Sequence, residues 1–277
     1  MQKLLSNNSC RSALLALLII ITASCSADPS APIFEHAERA LAEAKYDEAL
    51  SQYTYLVNKH PDSVHASQSQ YKIAYILNRY LGDDRQAQLA YKTLFYMYPK
   101  SKEANVALED LAIIYSNDGD HRKAIENYQK ILGTRVPDEN RRIHYRIAME
   151  YFYMNDLAQS AVEYKELLKN ARKPELVSDI YFQLGSIEYI EGRYPDALEW
   201  FDKIINKYPD TLYANEARFS KARLLRESGK YAEALSILNS IEKDYPDKQA
   251  VTSLKGWVER KIDEGPEPKE TPESMKK

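Results

Sequence analysis

Residues 191–210, EGRYPDALEWFDKIINKYPD, decide the fold. Gly192 gives the backbone the freedom to end one helix and turn into the next. The apolar side chains that follow are spaced as on one face of a helix. They are Ala197, Phe201, Ile204 and Ile205. Because Pro209 cannot continue a helix, the segment predicts a turn, one amphipathic helix and a stop.

The same unit occurs six times in the chain, at spacings of 36 to 38 residues. Its anchor is a small residue in the second helix of each unit: Ala49, Ala87, Ala124, Ser160, Ala197 and Ala234. Four residues after each anchor stands a large side chain: Tyr53, Tyr91, Tyr128, Tyr164, Phe201 and Leu238. Five residues before each anchor is a turn position, where glycine and asparagine best tolerate a left-handed conformation: Ala44, Gly82, Gly119, Asn155, Gly192 and Gly229. A single helical hairpin cannot bury its apolar face alone, so the hairpins must stack.

This order of small residue, Gly-x-Tyr turn, alanine, aromatic residue and proline resembles the tetratricopeptide-repeat family. The resemblance covers residues 33–247 and implies an all-α fold, a right-handed superhelical solenoid of six helical hairpins. The repeats run longer than the family's common period of about 34 residues, and the family's usual tryptophan in the first helix is absent. Residues 248–263 carry an apolar face that predicts a capping helix. Residues 264–277 are polar and proline-rich, which predicts a disordered tail.

Residues 1–24 have the features of an export signal. They contain Lys3 and Arg11, no acidic residue, and an apolar run of nine residues at 13–21. That run is far shorter than the roughly 20 residues that span a bilayer as a helix. The sequence therefore predicts a cleaved signal peptide rather than a transmembrane anchor.

The signal ends in ITASC, which resembles the lipobox of bacterial lipoproteins. The resemblance implies that Cys25 carries acyl chains such as palmitate and becomes the N-terminus, although Thr22 replaces the usual leucine. Ser26, in place of aspartate, resembles the outer-membrane sorting class. The alternative is an ordinary signal followed by an incidental cysteine. Residues 25–32 predict a short polar linker, so the lipid would hold the first repeat close to the membrane.

Composition argues against several classes of function. The net charge of −3, with both signs interspersed, disfavours nucleic acid as a partner. The two cysteines are Cys10 and Cys25, so residues 26–277 hold no thiol nucleophile or disulfide. The chain has no zinc-type cysteine pairs, HExxH motif, phosphate-binding glycine loop or Gly-x-Ser-x-Gly elbow. We therefore expect no enzyme activity, cofactor or metal site.

Tyrosine is in excess, with 22 against six phenylalanines. One set lies on the first helices of the repeats, on a line that the family resemblance places in the concave groove: Tyr71, Tyr75, Tyr145, Phe152, Tyr153, Phe182, Tyr189 and Phe219. Aromatic side chains suit a peptide-binding surface, but packing between adjacent helices explains the same positions. Arg223 and Arg226 share this line, where they either pair with a partner's carboxylate or stay solvated.

These features together resemble two families of envelope proteins. One is the lipoprotein of the β-barrel assembly machine (BamD), to which residues 66–76, ASQSQYKIAYI, are faintly similar. The other is the Tol–Pal coordinator family (YbgF/CpoB), which has similar repeats but normally lacks lipid. The resulting hypothesis is a lipid-anchored scaffold on the periplasmic face of the outer membrane, binding envelope proteins or extended peptides. The alternatives are a secretion or pilus assembly adaptor and, more distantly, a peptidoglycan-processing enzyme.

Overall fold

The computed structural model describes residues 28–133 and 140–265, which form thirteen α-helices and no strand. The helices are α1 (Ala31–Ala42), α2 (Tyr46–Lys59), α3 (Ala66–Arg79), α4 (Asp84–Met97), α5 (Lys102–Asn117), α6 (His121–Leu132), α7 (Arg141–Tyr153), α8 (Leu157–Asn170), α9 (Pro174–Ile190), α10 (Tyr194–Lys207), α11 (Leu212–Glu227), α12 (Tyr231–Ile241) and α13 (Lys248–Glu264). The chain divides into two compact units, Met1–Thr134 and Arg135–Lys277. Consecutive helices pair in each unit, α1 with α2 through α11 with α12. The predicted all-α fold of helical hairpins is confirmed.

The turn inside each hairpin follows the repeat register. All six predicted turn residues adopt the left-handed conformation, with φ between 58° and 77°. In five of the six turns, the next residue donates its backbone N–H to a carbonyl five residues earlier at 2.8–2.9 Å. This bond satisfies a carbonyl that the end of the helix would otherwise leave unpaired. Sequence position alone therefore predicts where each hairpin turns.

Ala44 is the turn residue whose side chain disfavours this conformation, since its φ is 58°. The left-handed region costs an ordinary residue about 1–2 kcal/mol, and glycine avoids that cost. We expect Ala44→Gly to stabilise the α1–α2 hairpin by about 1 kcal/mol, because greater freedom in the unfolded chain offsets part of the gain. Hydrogen exchange of α1 and α2 measures the change. The reverse substitution at the equivalent turn position, Gly192→Ala, should destabilise its hairpin. A loss of protection against exchange in Ala44→Gly would contradict this prediction.

The large residue after each anchor fills the space over the small residue of the first helix. The largest fully buried side chains include all five aromatic members of this slot: Tyr53, Tyr91, Tyr128, Tyr164 and Phe201. The fit is tightest at Gly185, where an added Cβ would stand 2.7 Å from Cε1 of Phe201. Ser160 is buried in place of the usual alanine, and its hydroxyl donates to the Ala148 carbonyl at 2.8 Å. The core positions predicted from the repeat are thus confirmed.

The two ends of the helical region differ slightly from the predicted boundaries. Helix α1 begins at Ala31, inside the predicted linker, because Pro32 suits the first turn of a helix. Helix α13 runs to Glu264, one residue past the predicted cap, and it packs on the second unit through three buried side chains. These are Val251, Leu254 and Val258. The predicted signal, Cys25 and residues 266–277 lie outside the described residues.

Candidate partner-binding groove

In the first unit, the two predicted groove residues lie on α3 and contact their neighbours. The Tyr71 hydroxyl donates to Asp110 of α5 at 2.9 Å, and the buried Tyr91 hydroxyl donates to the same carboxylate at 3.2 Å. The Tyr75 ring lies 6.0 Å from the Tyr71 ring and 5.8 Å from the Tyr80 ring. Both residues are partly buried, so Tyr71 joins adjacent hairpins and Tyr75 belongs to an aromatic cluster.

In the second unit, Tyr145 makes the same kind of contact with the next hairpin as Tyr71 makes in the first. It occupies the same register, three residues before the small residue of its helix. Its hydroxyl donates to Asp179 of α9 at 3.1 Å, and its ring meets the Tyr164 ring edge-on at 5.6 Å. Burial, followed by the charge of Asp179, raises the pKa of Tyr145 above its usual range. The packing interpretation thus describes Tyr145 better than a free groove position.

Phe152 and Tyr153 end helix α7 and have different surroundings. Phe152 is partly buried and packs against the core that includes Ala148 and Leu184. Tyr153 is 55% exposed, and its ring meets that of Phe152 edge-on at 6.2 Å. At the end of this helix, Phe152 therefore belongs to the edge of the core and Tyr153 to the surface.

The remaining predicted residues gather around two adjoining cavities in the second unit. The first, about 210 Å³, lies where α9 contacts α11 and is lined by Phe182, Ser186, Tyr189, Ile190, Phe201, Ser220 and Arg223. The second, about 330 Å³, lies between α11 and α13 and is lined by Phe219, Arg223, Arg226, Ala250, Ser253, Leu254 and Trp257. Arg223 lines both cavities, so the two form one continuous surface, which we call the aromatic groove.

The arginines of the aromatic groove are held on aromatic rings. The Arg223 guanidinium lies 5.3 Å from the centre of the Tyr189 ring, and its Nη2 donates to the Tyr189 hydroxyl at 3.3 Å. Arg226 lies 5.3 Å from the Trp257 ring and pairs with Glu227. Within the described ranges, Arg223 has no carboxylate partner, and neither cavity has an acidic lining residue. The groove therefore offers apolar surface with one uncommitted positive charge.

Several residues that line the groove were not predicted as binding residues, among them one tryptophan and two serines. Trp257 belongs to the predicted capping helix, residues 248–263, and its ring lines the second cavity. Ser186 and Ser220 supply hydroxyls beside the first cavity. The sequence signal for Trp257 was a large aromatic residue at the border of an apolar face. Nothing in the residue pattern singled out the two serines.

In the part of the chain that is described, no group of three or more His, Cys, Asp or Glu side chains could hold a metal ion. No helix within the described ranges has both the length and the hydropathy needed to cross a bilayer. Cys25, the predicted lipid attachment site, lies outside these ranges.

Three family models described as Tetratricopeptide repeat match the chain, at residues 68–101, 145–211 and 188–258. Together they span more than half of its length. The chain is 22% identical over 226 residues to DnaJ homolog subfamily C member 3 of Gallus gallus, covering 73% of this chain and 43% of that protein. It therefore spans less than half the length of that relative. It is 29% identical over 121 residues to the Photosystem I assembly protein Ycf3 of Synechococcus sp. (strain CC9311), covering 42% of this chain and 69% of that protein.

Solved structures are similar over most of the helical region. The C-terminal part of a TPR repeat-containing protein from Cytophaga hutchinsonii matches with a TM-score of 0.65 at 18% identity, covering 90% of this chain and 96% of that one. Pseudomonas aeruginosa pilF matches with a TM-score of 0.52 at 13% identity, covering 82% and 97%. YrrB, described as a TPR protein with an unusual peptide-binding site, matches with a TM-score of 0.52 at 14% identity, covering 74% and 97%. At these identities the likenesses show the fold alone. With the family models and the repeat register in agreement, the chain belongs to the tetratricopeptide-repeat family.

Proposed function

We propose that this protein is a lipid-anchored scaffold on the periplasmic face of the bacterial outer membrane, and that its aromatic groove binds segments of partner envelope proteins during assembly. The observation that carries the binding role is the pair of cavities joined at Arg223. Apolar cavities edged by a few polar groups are typical of binding sites. Aromatic residues and arginine dominate the energetics of such surfaces.

An extended segment is the form of partner that suits this surface best. Neither cavity is large, at about 210 and 330 Å³, so each admits a single side chain of a partner. The two cavities meet at Arg223, so neighbouring side chains of one extended chain can occupy both. The name Photosystem I assembly protein, borne by a relative, supports a role in assembly. The proposed anchor and location rest on the lipobox resemblance at Cys25.

The binding role predicts that groove substitutions remove partners without unfolding the protein. Tyr189→Ala combined with Arg223→Glu deletes the wall of the first cavity and reverses the shared charge. Because both side chains are at least partly exposed, we expect the fold to persist while partner recovery falls at least tenfold, or roughly 1.4 kcal/mol. Crosslinking in the native envelope followed by affinity purification measures the recovery.

A matched control is Leu212→Ala, which removes a 76% exposed apolar side chain of the same unit outside both cavities. This variant should keep its partners. Helicity and tryptophan emission should be unchanged in both variants. If the double variant recovers the same partners at the same level, the groove is not the binding surface.

The anchor predicts a separate result at Cys25. Cys25→Ala removes the atom to which acyl chains would attach, so metabolic labelling with palmitate should disappear. Since the acyl chains and not a helix would hold the protein, membrane association should be lost with the label. The Arg223→Glu variant, with Cys25 intact, should remain in the outer-membrane fraction. Palmitate labelling or membrane association that survives Cys25→Ala would remove the anchor from the proposal while leaving the groove untouched.

A further inference from the structure

The first unit contains a cleft on different elements from the line of groove residues. A cavity of about 460 Å³ opens between α4, α5 and α6. Its apolar lining is Phe95, Tyr96, Leu108, Leu111 and Tyr115. Tyr96 is 85% exposed, and the neighbouring Met97 is 58% exposed. We call this surface the lysine-rimmed cleft, because its polar lining includes three lysines, Lys92, Lys123 and Lys130, beside Glu126 and Asn127.

Two residues of the cleft differ in type from the residues at the equivalent positions of the other repeats. Nine residues after the anchor, the other repeats carry Asn58, Gly133, Lys169, Asn206 and Lys243, whereas the second repeat carries Tyr96. One residue before the anchor, the other repeats carry Glu48, Gln86, Gln159, Asp196 and Glu233, whereas the third carries Lys123. Neither change is needed to build a hairpin, because five repeats fold without it. The aromatic and the cation meet at this one cleft.

The charges of the cleft are largely available to a partner. The Lys92 and Lys123 ammonium groups lie 5.5 Å and 5.3 Å from the centre of the Tyr115 ring. Lys123 also pairs with Asp120. Lys92 and Lys130 form no ion pair with any residue of the described part. One acid, Glu126, lines the cleft, so its rim is predominantly positive.

One of the two equivalent positions in the second unit, at the junction of the fifth and sixth repeats, is closed by its own charges. There Asp202 of α10 and Lys221 of α11 form an ion pair at 2.6 Å. In the repeat register these residues correspond to Lys92 and Leu111. The first unit has no such ion pair at this position and places a lysine beside an apolar wall, as the junction of the fourth and fifth repeats does with Lys165 and Leu184. This leaves both positive charge and apolar surface for an outside group.

We propose that the lysine-rimmed cleft binds an acidic segment of a partner protein in which a leucine or aromatic side chain is flanked by carboxylates. The apolar side chain enters over Leu108, Leu111 and Tyr115. The flanking carboxylates pair with Lys92 and Lys130 at the rim. Charge complementarity argues for this occupant, because the two unpaired ammonium groups border the apolar floor. The site is additional to the aromatic groove and does not depend on it.

A peptide array tests the proposal on the full chain. The probes are short peptides with a central Trp, Phe or Leu flanked by acidic, by amide or by basic residues. The acidic set should be retained best, and rising salt should weaken it. The Lys92→Glu/Lys130→Glu variant should lose at least about tenfold in affinity for that set, since it reverses both rim charges. The control is Lys165→Glu, which changes the exposed lysine at the register of Lys92 in the fourth repeat and should bind as the wild type does.

Three outcomes would overturn the proposal. They are equal retention of the acidic and basic sets, unchanged affinity in the double glutamate variant, or self-association of the chain that this variant abolishes. The last would assign the cleft to a second copy. A Tyr96→Ala variant gives an independent check, because it deletes an 85% exposed ring and should weaken acidic probes without a change in stability. The Tyr189→Ala/Arg223→Glu variant should retain acidic probes at the cleft even if the groove proposal fails.

Discussion

Replacing Phe201 with alanine is expected to lower the free energy of unfolding of the second unit by about 3–5 kcal/mol, as for other buried phenylalanines. Phe201 is 1% exposed, and its core neighbours include Ala197 and Ile204. Because the ring fits against Gly185, which has no side chain to expand into the space, truncation leaves a void. That void adjoins the first cavity of the groove, which Phe201 also lines.

Urea unfolding followed by tryptophan emission measures this loss. The chain has two tryptophans, Trp200 and Trp257, and both lie in the second unit, so the signal reports that unit. The milder comparison is Phe201→Leu, because leucine occupies this slot as Leu238 in the sixth repeat and keeps part of the buried apolar volume, so its loss should be smaller than that of the alanine variant. Equal midpoints for the alanine variant and the wild type would show that the packing of Phe201 against Gly185 has been misjudged.

Replacing Asp110 with alanine is expected to destabilise the first unit by about 2–3 kcal/mol. Two hydroxyls donate to this carboxylate, and each loses its partner when the carboxylate is deleted. An unsatisfied buried polar group costs about 1–3 kcal/mol, and the partial exposure of Tyr71 lowers its share. Asp110→Asn keeps an acceptor oxygen and should remain within about 1 kcal/mol of the wild type. Hydrogen exchange of α3 to α5 reports this unit, which contains no tryptophan.

The difference in stability between Asp110→Asn and the wild type should change with pH in a defined direction. Burial raises the pKa of the Asp110 carboxyl above its ordinary value of 3.8, although the hydroxyls of Tyr71 and Tyr91 lower it in part. A raised folded-state pKa means that the protonated carboxyl contributes stability below 3.8, and that this contribution is lost as the pH rises through the folded value. The Asp110→Asn variant should therefore gain on the wild type as the pH rises from below 3.8 to neutrality. A difference that is constant with pH, or that grows in the other direction, would contradict this.

Most of the fold could be predicted from the repeat pattern in the sequence. It predicted the six left-handed turns, because a helix end needs the same backbone conformation wherever it occurs. It also predicted the buried slot of Tyr53 and Phe201, since a small residue must face a large one in every hairpin. Both features depend on residues that are close in sequence or equivalent in every repeat. A single sequence is therefore enough to predict them.

The roles of individual aromatic residues could not be predicted in the same way. Tyr71 and Tyr145 share a line with Phe182 and Tyr189, yet their hydroxyls bind carboxylates 39 and 34 residues away. Which carboxylate reaches a hydroxyl depends on how neighbouring helices cross, and spacing within a helix does not encode that. The lysine-rimmed cleft is a different case. Tyr96 and Lys123 differ in type from the residues at the equivalent positions of the other repeats. A comparison of the repeats by charge as well as by size therefore identifies them from the sequence.

Hydrogen–deuterium exchange of the intact chain, alone and bound to a partner captured in the envelope, tests the central claim most directly. The account predicts that partner binding slows exchange in the first helices around the groove, α9 and α11, at residues 182–190 and 219–226. It also predicts that Tyr189→Ala/Arg223→Glu abolishes this protection. Protection confined to α8, α10 and α12, with α9 and α11 exchanging as in the free protein, would contradict it.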